Sequence, residues 1–434
     1  MVAVLIASVA INYLSGLLVF KTKTLRFGGK PALALGIVLN LALLGYFKYF
    51  DFAIDILNAT LHTDIPLKSI ILPIGISFFT FQGMTYIIDL YRGKFPPQKN
   101  PLKLCLYIVK FPALTAGPIV RYGDMEAMID GRRESVSLFT EGVSRFICGL
   151  AKKVLIANSV AVVCDAVFMA PLDSHSAAAL WIGAAAYTFQ IYFDFSGYSD
   201  MAIGLGLMFG FRFKENFDHP YASRSIREFW QKWHISLSSF FRDYLYIPLG
   251  GNRRGIVYIN LIIVFFATGL WHGANYTFIA WGLWHGFFII VENILRRNPG
   301  AIAFLEKARN PFTLLLARFY TLLVVVTGWV LFRSDSFSYA FGYIKAMLLF
   351  QNGADIKVSV LYYLDNYNVL VFILAALFSF PLARALRALF KDRLLAGKNG
   401  AYATLRLACL AVLLFWSAVN VIDSGYNPFI YYIF

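Results

Sequence analysis

Long apolar runs separated by short polar segments, many of them basic, make up almost the whole chain. They lie near residues 1–20, 31–57, 69–91, 101–120, 150–170, 177–210, 256–272, 275–295, 312–333, 358–381 and 401–423. A helix crossing a bilayer takes about 20 apolar residues, and these runs approach or exceed that length. The pattern predicts an all-α polytopic membrane protein. The run at 177–210 is long and glycine-rich, which leaves room for a broken helix. No segment between runs is long enough for a separate soluble domain, so residues 1–434 are read as a single integral-membrane domain. The first run starts at Val2, with no basic stretch before it and no small-residue cleavage site before Lys21. It reads as a first span rather than a signal peptide.

Composition sharpens this picture. Of 434 residues, 59% are hydrophobic, 17% aromatic and 15% charged. Soluble domains average about 25% charged, so an ordinary soluble enzyme, a disordered chain and a disulfide-rich secreted module are excluded. Cys105, Cys148, Cys164 and Cys409 sit in apolar stretches without CxxC spacing and read as small buried hydrophobes. No grouping of side chains has metal-ligand spacing, so no metal is expected. The net charge of +15 would suggest nucleic acid on a soluble protein. Here the excess of basic residues in cytosolic loops accounts for it, and the partner expected is the lipid bilayer, with no nucleic acid. Basic residues gather at 21–30, 92–103, 296–311 and 382–400. These segments are placed in the cytosol, with the N-terminus and the tail from Gly425 facing outward.

Charge is densest at 212–254. Within it Phe229, Trp230, Trp233, Leu237, Phe240, Phe241 and Tyr244 recur at helical spacing, which predicts an amphipathic helix with an aromatic face. Lys232, Ser239, Arg242 and Asp243 fall largely off that face, and Pro248 to Asn252 ends it. Two readings stand: a helix lying in the membrane interface, or one lining a cavity reached by a cytosolic substrate.

Candidate chemistry centres on His272. It sits in Thr268-Gly269-Leu270-Trp271-His272-Gly273-Ala274-Asn275, between two apolar runs. Irregular backbone at membrane depth survives only when buried in protein or lining a water-filled cavity. An ionisable residue there is a functional candidate, and an imidazole suits general base catalysis. A structural hydrogen bond between helices is the competing reading. Gly282-Leu283-Trp284-His285-Gly286 repeats the motif thirteen residues on, inside a more regular run where a packed histidine is expected. His234 borders the aromatic face and is expected to be buried. Asp194 and Asp200 fall in an apolar region and need partners, with an arginine of 212–254 or His272 as candidates. Orienting a catalytic histidine and joining helices are both open to them. The chain has no Walker A, GxGxxG, GxSxG or HExxH motif, which argues against a nucleotide-driven pump, a serine hydrolase and a zincin.

Phe229 to Ser238, reading FWQKWHISLS, is followed by Arg242 to Arg253, reading RDYLYIPLGGNR. Together they resemble the bacterial membrane-bound O-acyltransferases of the alginate O-acetyltransferase type. Tyr192 to Asp200, Gly269 to Asn275 and Tyr426 to Phe434 add to the resemblance, which runs over nearly the whole chain. The run Ile247 to Asn252 favours this branch over teichoic-acid D-alanyl transferases. The resemblance implies a bundle of about 10–12 helices, with re-entrant or interfacial amphipathic helices around a central cavity, in the bacterial cytoplasmic membrane. It implies an O-acetyltransferase that moves an acetyl group from a cytosolic donor across the membrane. Acetyl-CoA is expected as a co-substrate, with no tightly bound cofactor. The acceptor would be hydroxyls of an exported polysaccharide or an extracytoplasmic acetyltransferase partner.

Residue roles follow from the same resemblance. The family's essential histidine matches His272, and its second histidine matches His234. Lys232, Arg242, Arg253 and Arg254 would suit the phosphates of the donor. Apart from the resemblance, reading His272 as a general base leaves Asp194 or Asp200 to hold its tautomer. The tail Phe429 to Phe434 resembles the aromatic C-terminal hexapeptide of this branch, with Tyr432 where Phe is common. Tyr431 is the candidate acyl relay, and an interfacial aromatic anchor is the alternative. Relatives of this type usually begin with further apolar segments before Asn12-Tyr13-Leu14, so N-terminal helices are expected to be missing here. A multi-span transporter, or a scaffold without chemistry of its own, remain the rival functions.

Overall fold

The computed structural model describes residues 1–26, 28–253, 256–298, 310–353, 355–356, 358–382, 399–423 and 429–430. The described residues form helices and connecting loops. Among the described residues six helices are long and apolar enough to cross a membrane: Val2–Thr22, Lys30–Leu61, Val136–Phe168, Tyr276–Arg297, Pro311–Arg333 and Ala403–Asp423. In chain order the helices are α1 (Val2–Thr22), α2 (Lys30–Leu61), α3 (Ile76–Tyr91), α4 (Pro101–Val109), α5 (Tyr122–Gly131) and α6 (Val136–Ala151). Next come α7 (Asn158–Phe168), α8 (Ala177–Met208), α9 (Ile226–Lys232), α10 (Ile235–Phe241), α11 (Val257–His272) and α12 (Tyr276–Arg297). Last are α13 (Pro311–Arg333), α14 (Phe337–Leu348), α15 (Asn366–Phe378) and α16 (Asn399–Asp423).

The first three helices pack on one another. Their contact is polar at its centre. The Asn12 and Asn40 side chains exchange hydrogen bonds at 3.1 Å in both directions, and each amide also donates to its own helix four residues back. In hydrocarbon such amides find partners on neighbouring helices because water is absent. α3 is buried along nearly its full length, from Ile76 to Leu90, and forms the middle of the bundle.

A second core element is the pair α6 and α8, which touch backbone to backbone. A Cβ on Gly142 would lie 2.5 Å from Gly204 O, and one on Gly204 would lie 2.6 Å from Gly142 O. Two turns on, Gly149 and Gly197 face each other in the same reciprocal way, at 2.6 and 2.7 Å. Both helices thus carry glycine at seven-residue spacing, a small-residue seam that permits close approach. Beyond Gly149 the helix takes a π turn over Lys152–Ala157 and continues as α7. The turn presents Lys152 and Lys153 to α8. Lys152 pairs with Asp200 at 2.7 Å and Lys153 with Asp194 at 2.5 Å. Arg145 pairs with Asp200 at 2.6 Å.

Several elements differ from the sequence expectation. Residues 177–208 form one unbroken helix of 32 residues, because its glycines serve packing rather than a bend. The run at 69–91 becomes helical only at Ile76, after Gly75 at φ 78°. The run at 101–120 is no single span: α4 stops at Val109, before Pro112 and Gly117 at φ 94°. The amphipathic segment is two short helices rather than one. It breaks at His234, which adopts φ 42°. Its aromatic face, Phe229, Trp230, Trp233, Leu237, Phe240 and Phe241, is buried in the protein core, not spread on a membrane surface. Among the cysteines Cys164 is buried, whereas Cys148 and Cys409 are exposed on the outside of the bundle.

The glycine seam is open to a direct test. Gly197→Val would place side-chain atoms where Gly149 O and Lys153 N already stand, at 2.7 and 3.1 Å. Overpacking of this kind destabilises by about 1–3 kcal/mol. Thermal unfolding of the detergent-solubilised variant is expected to show a lower Tm than wild type, and an unchanged Tm would show that the seam yields freely.

Candidate active site at the end of helix α11

The helices α11 and α12 form a hairpin joined by Gly273-Ala274-Asn275. Gly269 and Gly282 lie where the two backbones meet, with Phe278 O and Phe265 O against them. Gly273 is extended, and a Cβ there would run into the Phe278 ring. Asn275 then caps α12 by accepting from Thr277 N at 3.1 Å. The tight turn leaves His272 as the last residue of α11, buried at 3% exposure.

The end of α11 is held by α2. Lys48 Nζ donates to Trp271 O at 2.6 Å and to His272 O at 3.0 Å, and Tyr49 Oη donates to Leu270 O at 2.9 Å. Three successive carbonyls left over at the helix end are thereby satisfied. The His272 ring is enclosed by Trp271, Trp281 and Phe332, with ring centroids at 4.8, 4.7 and 5.4 Å. Its Nδ1 lies 2.7 Å from Thr268 O. A carbonyl can only accept, so Nδ1 carries the proton and the basic lone pair belongs to Nε2.

His234 packs on the far face of the same cluster. Its ring lies 5.9 Å from Trp271, 4.6 Å from Phe195 and 6.3 Å from Phe78. Asn216 fixes it. Asn216 Oδ1 lies 3.2 Å from His234 Nδ1 and also accepts from Ser236 N and Ser236 Oγ at 3.2 and 2.9 Å. Its backbone carbonyl takes Ile235 N at 2.9 Å. These bonds hold His234 in the left-handed region, which a residue with a side chain rarely adopts and which clusters at functional sites.

Two cavities are lined in part by α11. One, of about 90 Å³, is lined by Lys48, the segment Leu72–Phe78, Thr115, Trp271 and His272 itself. The other, of about 340 Å³, is lined by Arg227, Gln231, Ser238, Ser239, Arg242, Tyr246, Asn252 and Asn293, with Trp230, Phe241, Phe265 and Thr268 at its apolar depth. It reaches the turn of α11 whose carbonyl anchors His272. Arg242 points its Nε at Asp243 at 2.7 Å, and Arg121 reaches the same carboxylate at 2.8 Å. Burial alone would raise Asp243, but the two guanidinium groups outweigh it and hold the carboxyl below its ordinary value. At the rim Arg227 donates to Asn293. Lys232 pairs with Glu228 at 2.7 Å and does not line the cavity. Arg253 is exposed, and Arg254 lies outside the described residues.

Asp194 and Asp200 find their partners on α6 and its π turn, while the hydrogen bond at His272 Nδ1 goes to Thr268 O. Asp194 has a second contact. Its Oδ2 accepts from Ile430 N at 2.8 Å. Phe429 and Ile430 are both buried, and the Phe429 ring stacks on Tyr198 at 4.6 Å. Phe429 thus lies in the core beside Phe195, which in turn touches His234. Tyr431 and Tyr432 lie outside the described residues. His285 is fully buried among Phe229, Trp230 and Trp281. Sequence reasoning missed Lys48, Asn216, Arg145, Lys152 and Lys153. Lys48 had a signal, as a lone lysine inside the apolar run 31–57; Asn216 had none.

A probable alginate O-acetylase of Pseudomonas putida is 45% identical over 330 residues, covering 74% of this chain and 66% of that protein. A probable alginate O-acetylase of Pseudomonas aeruginosa is 45% identical over 345 residues, covering 78% and 64%. The chain thus spans slightly less than two thirds of their lengths. A peptidoglycan O-acetyltransferase of Helicobacter pylori is 36% identical over 376 residues, covering 79% of this chain and 69% of the relative. The model of the membrane-bound O-acyltransferase family matches residues 43–332. That match runs from α2 to the end of α13 and takes in both histidines and both cavities, and the chain belongs to the membrane-bound O-acyltransferase family.

Proposed function

We propose that this protein is an O-acetyltransferase that carries an acetyl group from a cytosolic thioester, acetyl-CoA, to a hydroxyl on the other side of the membrane. The observation that supports it most is His272 itself, a buried imidazole with its tautomer set by Thr268 O, on the wall of the smaller cavity and one turn from Thr268, which lines the larger. The larger cavity, with Arg227 and Arg242 at its rim and an apolar depth, suits a long donor with phosphates at one end and a thioester at the other. The smaller cavity suits the incoming hydroxyl.

In the proposed step His272 Nε2 takes the hydroxyl proton as the acceptor oxygen bonds to the acetyl carbonyl carbon. The C–S bond then breaks, and the imidazolium returns the proton to the departing thiolate. His234 supports the site through the shared packing on Trp271. In a two-stage version the first hydroxyl is that of Tyr431, which passes the acetyl group on as an ester. The docking of Phe429 and Ile430 beside Asp194 supports a tail that works close to the histidines. The final acceptor is an exported polysaccharide or an extracytoplasmic acetyltransferase partner, and the site of action is the bacterial cytoplasmic membrane. The names of the relatives, acting on alginate and on peptidoglycan, support a cell-envelope glycan as the acceptor class.

Three outcomes test this reading. Incubating purified protein with radiolabelled acetyl-CoA is expected to release CoA from wild type, and His272→Ala should be slower by about 10²–10⁴-fold. Equal turnover in both would remove His272 from the mechanism, and a carrier or scaffold would leave the thioester intact throughout. Tyr431→Phe is expected to abolish transfer to an added acceptor and to remove covalent label from the chain; full transfer would end the relay. Arg227→Ala and Arg242→Ala should each raise KM for acetyl-CoA about tenfold or more, as for a lost charged hydrogen bond, with kcat little altered.

A further inference from the structure

Lys48 is the residue at this site that neither its sequence context nor the proposed step explains. It lies in the interior of α2, a helix long enough to span a bilayer. A cation at that depth is costly and normally faces a carboxylate or a water-filled cavity. Lys152 and Lys153 follow the first pattern, paired with Asp200 and Asp194. Lys48 does not. Among the described residues its hydrogen bonds go to two carbonyls, Trp271 O and His272 O, and no carboxylate lies within ion-pair distance. It also stands 5.9 Å over the Trp271 ring and lines the smaller cavity with His272.

The geometry points to Lys48 as a positioning residue for His272. It would hold the last turn of α11 so that the imidazole faces the smaller cavity, and would keep a positive charge beside the reacting atoms. Both halves follow from the contacts. Carbonyls at a helix end attract cations, and fixing Trp271 O and His272 O fixes the backbone that carries the imidazole. The charge has a second effect. When a hydroxyl oxygen attacks an acyl carbonyl, negative charge develops on the carbonyl oxygen, and a preorganised cation beside it favours that charge. A simple structural cap would need only the two N–H donors. The inference concerns charge, and it rests on His272 acting as the general base.

The experiment separates charge from capping. Lys48→Met removes both, Lys48→Gln keeps amide donors without charge, and Lys48→Arg keeps charge and donors. CoA release from acetyl-CoA is measured for each, beside His272→Ala and Tyr49→Phe, with Tm recorded in the same detergent. Lys48→Met and Lys48→Gln are expected to lose about 10²-fold or more in kcat, with KM for the donor within a few-fold of wild type. Lys48→Arg should recover most of the loss. Tyr49→Phe, which removes the neighbouring neutral grip on Leu270 O, should lose less than about tenfold. All Tm values should stay within about 3 °C. Recovery by Lys48→Gln would reduce Lys48 to a cap. Wild-type turnover in Lys48→Met, no recovery in Lys48→Arg at unchanged Tm, or a loss that tracks a fallen Tm would each overturn the inference. His272→Ala inactive beside active Lys48→Met sinks this inference alone; His272→Ala fully active sinks the reading beneath it as well.

Discussion

A helix that ends inside a membrane leaves its last carbonyl oxygens facing a solvent that cannot bond to them. α11 ends that way, at His272, and the surrounding architecture answers to it. Lys48 and Tyr49 on α2 take the carbonyls of residues 270 to 272. Thr268 O, one turn earlier, takes the imidazole. The hairpin to α12 is tight because glycines let the two backbones meet. The cavity beside His272 is walled by Lys48 of α2 and by Leu72 to Phe78 at the start of α3. Asp51, one turn beyond Lys48, holds that segment by accepting from Lys68 N and Ile70 N at 2.9 Å.

Charge in the interior follows the same logic. Asp194 and Asp200 are buried on α8 and would be unstable alone. Their partners come from α6 and its π turn, not from the basic segment 212–254, because the glycine seam brings α6 within backbone contact of α8. The basic segment is occupied elsewhere. Arg92 and Arg121 both lie over the Tyr244 ring, at 5.0 and 5.3 Å. Tyr244 Oη in turn donates to the buried Asp89 at 2.7 Å. The short helices α9 and α10 are thereby tied to α3 at one end. At the other, Glu292 on α12 accepts from Ile226 N and Arg227 N at 2.6 and 3.2 Å.

Much of this was legible in the residues and some was not. Apolar run length located the long helices well, since hydropathy is what a bilayer reads. It misjudged 69–75 and 110–120, where Gly75, Pro112 and Gly117 set backbone geometry that hydropathy ignores. The Gly-Leu-Trp-His-Gly context marked His272, because irregular backbone between apolar runs is rare. The left-handed break at His234 was not legible. Its cause is Asn216, eighteen residues earlier and distinguished by nothing until the chain folds. The partners of Asp194 and Asp200 were hidden for a similar reason, since they depend on which faces of two helices meet.

A π turn is an α-helix carrying one residue too many. The stretch from Lys152 to Ala157 is therefore a matter of phase as much as of chemistry. Each added residue rotates the remainder of the helix by about 100° about its axis. Lys152 and Lys153 face α8 on one side of that step, and Asp165, paired with Arg333 of α13 at 2.9 Å, faces its partner on the other. Losing one codon here would leave hydropathy and composition almost untouched. It would still turn one half of a long helix away from everything it meets, so tolerance to length change along this helix is set by rotation and not by reach.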